Sequence, residues 1–160
     1  MTHKQLYDNY GTTNFQFTFI DKRELRKRHH QEWNVFFTQG FISIHNVSKN
    51  TRIRVNFPEE DHWVHEKRES EWRDGGICRG AEIKTNDFTL TADVREYIDS
   101  DNPEFDPDYH TEGENEGHLE LVSKNSTINM EIPYKLATNL IKFMGGSTDL
   151  DGICGVLKFK

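Results

Sequence analysis

Apolar and polar positions alternate along this chain in short runs. From residue 87 to residue 94, Phe88, Leu90, Ala92 and Val94 fall on one side and Thr89, Thr91 and Asp93 on the other. This two-residue period predicts a half-buried strand. Residues 118–122 turn Leu119 and Leu121 inward, and residues 127–132 return with Ile128, Met130 and Ile132 inward. Ser-Lys-Asn between them predicts a hairpin turn, since Asn tolerates the left-handed backbone that tight turns need. After Pro133 the period lengthens, and Leu136, Ala137, Leu140, Ile141 and Met144 recur at helical spacing. They predict a helix with one apolar stripe, opened by the proline and closed by a left-handed glycine cap at Gly145-Gly146.

The plan occurs twice. Residues 14–20 (Phe15, Phe17 and Phe19 inward), 41–47 and 51–57 (Ile53, Val55 and Phe57 inward) predict strands of a first copy. Pro58 then opens a helix predicted over residues 59–74, although Trp63 and Trp72 fall on opposite sides of its wheel and leave it no clean apolar face. Residues 47–58 and 122–133 share six of twelve letters at an offset of 75, and each block leads to a Gly-Gly and then an Ile-Cys. Asp21-Lys22-Arg23-Glu24 parallels Asp93-Val94-Arg95-Glu96 at an offset of 72. Residues 80–84 and 155–159 read as a further short strand in each copy, with the last strand of one copy completing the other's sheet. Self-similarity at a fixed period marks an internal duplication. The expected fold is α+β: two tandem ββββα repeats, residues 1–76 and 77–160, with antiparallel sheets and internal pseudo-twofold symmetry, packed as one globular unit.

Four antiparallel strands followed by a packing helix, in tandem, resemble the Whirly-type fold of purine-rich-element-binding (PUR) repeats and their single-strand-binding relatives. Residues 121–144, a hairpin leading straight into an amphipathic helix, carry the resemblance. It implies a sheet face open to single-stranded nucleic acid, or use as a protein-binding module. The nucleic-acid-binding members are basic on that face and carry stacking aromatics, a pattern this chain does not follow, and no binding residue is carried over from them.

Composition and charge narrow the function. The hydrophobic share is 34%, but 11 Phe, 5 Tyr and 3 Trp fill a core from few positions. No apolar run reaches the length of a membrane helix, and the start Met-Thr-His-Lys-Gln lacks the pattern of a signal peptide. A soluble cytoplasmic protein is expected, with Cys78 and Cys154 as free thiols. The net charge is −7, which opposes general binding to phosphate backbones.

The charges are segregated. Between strands of the first copy lie Lys22, Arg23, Arg26, Lys27, Arg28, His29 and His30, whereas the matching segment of the second carries Asp99, Asp101, Glu104, Asp106, Asp108, Glu112, Glu114 and Glu116. Either run reads as a solvated face. Read functionally, the acidic one docks on a basic protein such as a nuclease, a toxin or a nucleic-acid enzyme. A single-stranded nucleic acid would instead meet Arg52, Arg54 and the Lys22, Arg23, Arg26, Lys27, Arg28 cluster, with Trp33, Phe36 or Phe37 stacking on bases. The competing reading makes those aromatics core and pairs Arg52 and Arg54 with acids across the sheet.

An enzyme would have to rest on histidines and neighbouring acids. Glu59, His62, His65, Glu66 and Glu69 would share a helix face where a metal could bind, and His110 lies amid Asp106, Asp108 and Glu112. His45 and His118 sit at comparable strand positions. There is no H-E-x-x-H, C-x-x-C, G-x-S-x-G or phosphate-binding glycine loop. The sequence therefore predicts a non-catalytic binding protein without metal or cofactor, of the inhibitor, immunity or anti-defence kind. Its acidic residues 99–116 form the contact, and exposed strand edges invite a homodimer. A single-strand binder is the second reading and a metal-dependent hydrolase the third.

Overall fold

The computed structural model describes residues 8, 14–21, 31–38, 40–57, 64–73, 75–145, 147 and 149–154. They form two five-stranded antiparallel sheets and a helix. The first sheet holds β1 (Phe15–Asp21), β2 (Gln31–Phe37), β3 (Phe41–Asn46), β4 (Thr51–Asn56) and β10 (Ile153–Cys154), in the order β10-β1-β2-β3-β4. The second holds β5 (Val64–Arg73), β6 (Gly76–Lys84), β7 (Phe88–Glu96), β8 (Glu116–Ser123) and β9 (Ser126–Ile132) in chain order, followed by α1 (Tyr134–Met144). The α+β class is as the sequence predicts. The sheets do not divide cleanly between the two halves, since β5 lies before residue 76 yet joins the second sheet and β10 returns to pair with β1.

Alternation places the core. Phe15, Phe17 and Phe19 of β1, Trp33, Val35 and Phe37 of β2, Ile42 and Ile44 of β3 and Ile53 of β4 are buried on one face of the first sheet. Ala81, Ile83, Leu90, Ala92, Val94, Leu119 and Leu121 are buried on one face of the second. Helix α1 packs on the second sheet. Its stripe of Leu136, Ala137, Leu140, Ile141 and Met144 is buried as predicted, and it packs on β6, β7 and β8. Phe143 projects toward the first sheet, its ring centroid 4.8 Å from that of Phe15 and 4.9 Å from that of Phe37. Asn139, fully buried, exchanges hydrogen bonds with the backbone N–H and C=O of Asp151, so the chain after the helix is pinned without an unpaired polar group.

Several expectations are corrected. Residues 64–73 of the predicted helix 59–74 form β5, which pairs along its length with β6 through a bulge between Arg68 and Glu71. Glu and Arg favour helix, but a segment without an apolar stripe has nothing to bury as a helix, whereas an edge strand lets β6 take its backbone hydrogen bonds. The two copies are therefore not closed in the same way, and the ββββα plan is not what these residues form in the first half. Gly75, φ 79°, lies in the β5–β6 turn rather than at a helix end. Gly145 caps α1 with φ −78°, not in the left-handed region, and its N–H donates to Ile141 O. Strand β2 has no counterpart in the second copy, where residues 97–115 form a loop and β7 pairs directly with β8. The strand predicted at 155–159 lies outside the described residues.

Candidate interaction surfaces

The acidic segment is an ordered loop joining β7 to β8. Short side-chain turns fix it: Asp99 accepts from the N–H of Asp101 at 3.0 Å, Asn102 from Glu104 at 2.9 Å and Asp106 from Asp108 at 3.0 Å. The N–H of Asp106 also donates to His110 Nδ1 at 2.7 Å, and the N–H of Thr111 reaches Gly75 O at 3.3 Å, docking the loop on the β5–β6 turn. Asp99, Asp101, Glu104, Asp108, Glu112 and Glu114 are exposed and Asp106 is half-buried. Glu116, also exposed, belongs to β8 and stands 3.4 Å from His118.

Beside this loop is an apolar patch that the sequence did not reveal. Trp72 of β5 and Ile77 of β6 are cross-strand neighbours, 49% and 38% exposed, and Tyr109 in the loop is 71% exposed. The His110 ring bridges to the patch, edge-on to Trp72 at 5.2 Å and tilted against Phe105 at 5.7 Å. The only hint in the sequence is that Trp72 has no place on a helical apolar face.

The outer face of the second sheet is a groove of about 870 Å³. Its register sets ionisable residues in rows: Arg68, Gly80, Asp93, His118 and Glu131 across all five strands, then Glu66, Glu82, Thr91, Glu120 and Asn129. Gly80 is required at its position, because a Cβ there would lie 2.6 Å from Ala92 O and closer still to the Asp93 carboxylate. Burial in this groove holds the Asp93 carboxyl above the ordinary aspartate value, against Arg68 at 3.4 Å and His118, and with help from Glu120 and Glu82. Lys84 bridges Glu66 at 3.4 Å and Glu82 at 3.2 Å, and both hold its ammonium above its ordinary value. Cys78 is a free, half-buried thiol flanked in the register by Glu71 and Arg95; the Arg95 guanidinium donates to the Cys78 sulfur and to the Tyr97 hydroxyl, and both contacts hold it charged.

On the inner side, Arg79, Glu96 and Tyr134 tie the start of α1 to the second sheet, the Tyr134 hydroxyl donating to Glu96 at 2.7 Å. Burial works to raise the Glu96 carboxyl, but the hydrogen bonds from Tyr134 and Arg79 outweigh it and hold it below the glutamate range.

The outer face of the first sheet differs. Gln16, Phe36, Ser43 and Arg54 form one row and Thr18, Asn34, His45 and Arg52 the next. The Arg54 guanidinium lies 4.0 Å over the Phe41 ring, and Arg52 Nη2 is 3.5 Å from His45 Nδ1. Arg52 and Arg54 do not pair with acids among the described residues; Glu32 is the carboxylate on that face. Of the aromatics considered for base stacking, Trp33 and Phe37 are core, and Phe36 alone turns outward, half-buried. Their alternation with Asn34 and Phe36 carried this distinction in the sequence.

Other candidates are separated or undescribed. Lys22, Arg23, Arg26, Lys27 and Arg28 lie outside the described residues, as do Glu59 and His62 of the histidine cluster. His65 and Glu66 are consecutive strand residues on opposite faces of β5 rather than neighbours on a helix, and no group of three or more metal-ligating side chains assembles among the described residues. His45 and His118 stand on different sheets. No helix among the described residues is long and apolar enough to cross a membrane. Compared with known proteins, the chain matches no family model, no curated protein and no solved structure.

Proposed function

We infer that this chain is a non-catalytic cytoplasmic binding protein, an inhibitor or immunity-type factor that docks on a basic protein through the β7–β8 loop. The observation that carries this reading is the pairing of a rigid run of outward carboxylates with exposed Trp72, Ile77 and Tyr109. The carboxylates supply long-range attraction and a fast encounter. The aromatic patch supplies what charge alone lacks, a desolvated anchor of the kind that dominates interface affinity. A net charge of −7 favours the same class of partner.

Affinity capture from the source cells tests it, comparing the native chain with a variant carrying Asp99→Asn, Asp101→Asn, Asp106→Asn and Asp108→Asn, and with Trp72→Ala. The native chain should retain a basic protein that salt releases. The charge variant should slow its association at least tenfold, and Trp72→Ala should weaken affinity by about 2 kcal/mol, chiefly through faster dissociation. Retention of the same protein by both variants would sink the reading.

A second reading is favoured by one feature, the outer face of the first sheet, where Arg52, Arg54, Phe36 and Phe41 stand with a single described carboxylate. That chemistry suits a single-stranded nucleic acid of the kind taken by the Whirly-like fold, which the duplicated hairpins at 47–58 and 122–133 also suggest. A labelled oligonucleotide should then bind, lose affinity with added salt, and be released by Arg52→Ala with Arg54→Ala.

A further inference from the structure

A sheet edge exposes unpaired N–H and C=O groups, and proteins ordinarily protect such edges with charge, bulges or brevity. Two of the four edges among the described residues carry such protection. Strand β5 is bulged and includes Glu66, Lys67, Arg68 and Glu71, and β4 presents Arg52 and Arg54, while β10 is described over two residues alone. Strand β9 has none of these. It is seven residues long, without bulge or proline, with Glu131 as its one charge and Ile128 44% exposed. Among the described residues no strand covers its outer side.

We propose that β9 is a homodimerisation edge, pairing antiparallel with β9 of a second copy across a twofold axis at Asn129. The register follows from the hairpin. Ser123 and Ser126 close a two-residue turn, so they form a hydrogen-bonded pair, and Ile128, Met130 and Ile132 bond to β8 in the same phase. Thr127, Asn129 and Glu131 therefore direct their N–H and C=O groups to the free edge. Centring on Asn129 sets Asn129 opposite its own copy and Thr127 opposite Glu131, and it uses all three free residues. Placing the axis between two residues would break the match between the two outward-directed sets, centring on Ile128 or Met130 would leave one of the three free residues without a strand partner, and centring on Glu131 would oppose two carboxylates.

The same register sets Ile128 beside Met130 of the second copy, covering an apolar side chain that the monomer leaves wet. The result is a continuous ten-stranded sheet. A contact between two seven-residue strands is at the small end of stable interfaces, so association in roughly the micromolar range is expected. Each copy carries −7, so added salt should strengthen the pairing, the opposite of its effect on docking to a basic partner.

Sedimentation velocity between about 1 and 500 μM tests this on the full chain, a range that brackets the micromolar affinity of a small interface. The native protein should pass from monomer to dimer. Asn129→Lys should raise the dissociation constant at least tenfold by opposing two ammonium groups on the axis, as should Asn129→Asp, and an equimolar mixture of the two should recover the dimer. Asn129→Pro should also abolish it while leaving circular dichroism unchanged, because the lost N–H faces solvent in the monomer. Should that variant misfold, Thr127→Lys and Thr127→Glu on the exposed strand decide the matter, the first tightening the dimer against Glu131 and the second loosening it. A protein that stays monomeric throughout, or a dimer that none of these substitutions alters, overturns the proposal.

Discussion

The hairpins β3–β4 and β8–β9 begin with the same four letters, Val-Ser-Lys-Asn, and close differently. In the first, Asn46 pairs with Thr51 and all four letters form the turn; in the second, Ser123 pairs with Ser126 and only Lys124 and Asn125 do. The registers differ by two residues, which leaves every inward side chain inward, because a sheet repeats every second residue. A shared pattern thus fixes which face is core but not how long a turn is. The outer faces are freer still. The first sheet shows arginines and aromatics there, the second an ionic lattice dominated by acids, although the buried faces of both contribute to one core.

The largest test of this shared core is Phe143→Ala. Phe143 is the helix residue that reaches β1 and β2 of the first sheet, while Leu136 and Leu140 lie within the stripe packed on the second. Truncating it should cost about 3–5 kcal/mol of stability in urea unfolding. Hydrogen exchange should lose protection in β1 and β2 before β7 and β8, whereas Leu140→Ala should loosen the second sheet at least as much as the first. Equal loss in both sheets for both variants would mean that the helix does not distinguish them.

The second sheet also holds two carboxyls shifted in opposite directions. Glu96 is held below its ordinary value, so its contribution is present above the ordinary glutamate pKa of 4.5 and is lost as the pH falls through the lower folded-state value. Asp93 is held above its ordinary value of 3.8, so the stability linked to it is present below that value and is lost as the pH rises through the folded-state value. Glu96→Gln should therefore destabilise the protein at pH 7 and change little at low pH, while Asp93→Asn should stabilise it at pH 7 and change little at low pH. The two side chains keep 33% and 36% of their surface exposed, which limits either effect to about 1 kcal/mol or less. Urea unfolding at several pH values reads both, and a destabilised Asp93→Asn at pH 7 would show that the Arg68 pair outweighs burial.

What could be read from the sequence follows the same division. Phe15, Phe17, Phe19, Leu90, Ala92, Leu119 and the α1 stripe were legible because burial imposes a period of 2 or 3.6 on them. Strand β2 carries the same period, since Trp33, Val35 and Phe37 alternate with Glu32, Asn34 and Phe36, although a basic run precedes it. Strand β5 was not legible. Its residues carry no two-sided pattern because it lies at an edge, and its partner β6 decides its backbone. The acidic residues of the candidate docking surface were visible as letters, whereas Trp72 and Ile77 come beside them only once β5 pairs with β6 and the loop folds onto Gly75.

The smallest effect returns to the repeated letters. Asn50, at φ 51°, is the non-glycine residue in the left-handed region among those described, while Asn125, its match in the second copy, is not in that region. The left-handed backbone expected of the second turn thus belongs to the first. Alanine at position 50 must adopt a conformation that costs a residue with a Cβ about 1–2 kcal/mol, eased in Asn by its short polar side chain. Asn50→Ala should therefore lower stability by about 1 kcal/mol, and Asn50→Gly should leave it unchanged or slightly improved. Asn125→Ala should cost no more than about 0.5 kcal/mol, the range of surface substitutions away from special backbone positions. Unequal costs from identical letters are the thermodynamic counterpart of the two turn lengths; equal costs in thermal unfolding would mean that the two turns share a backbone after all.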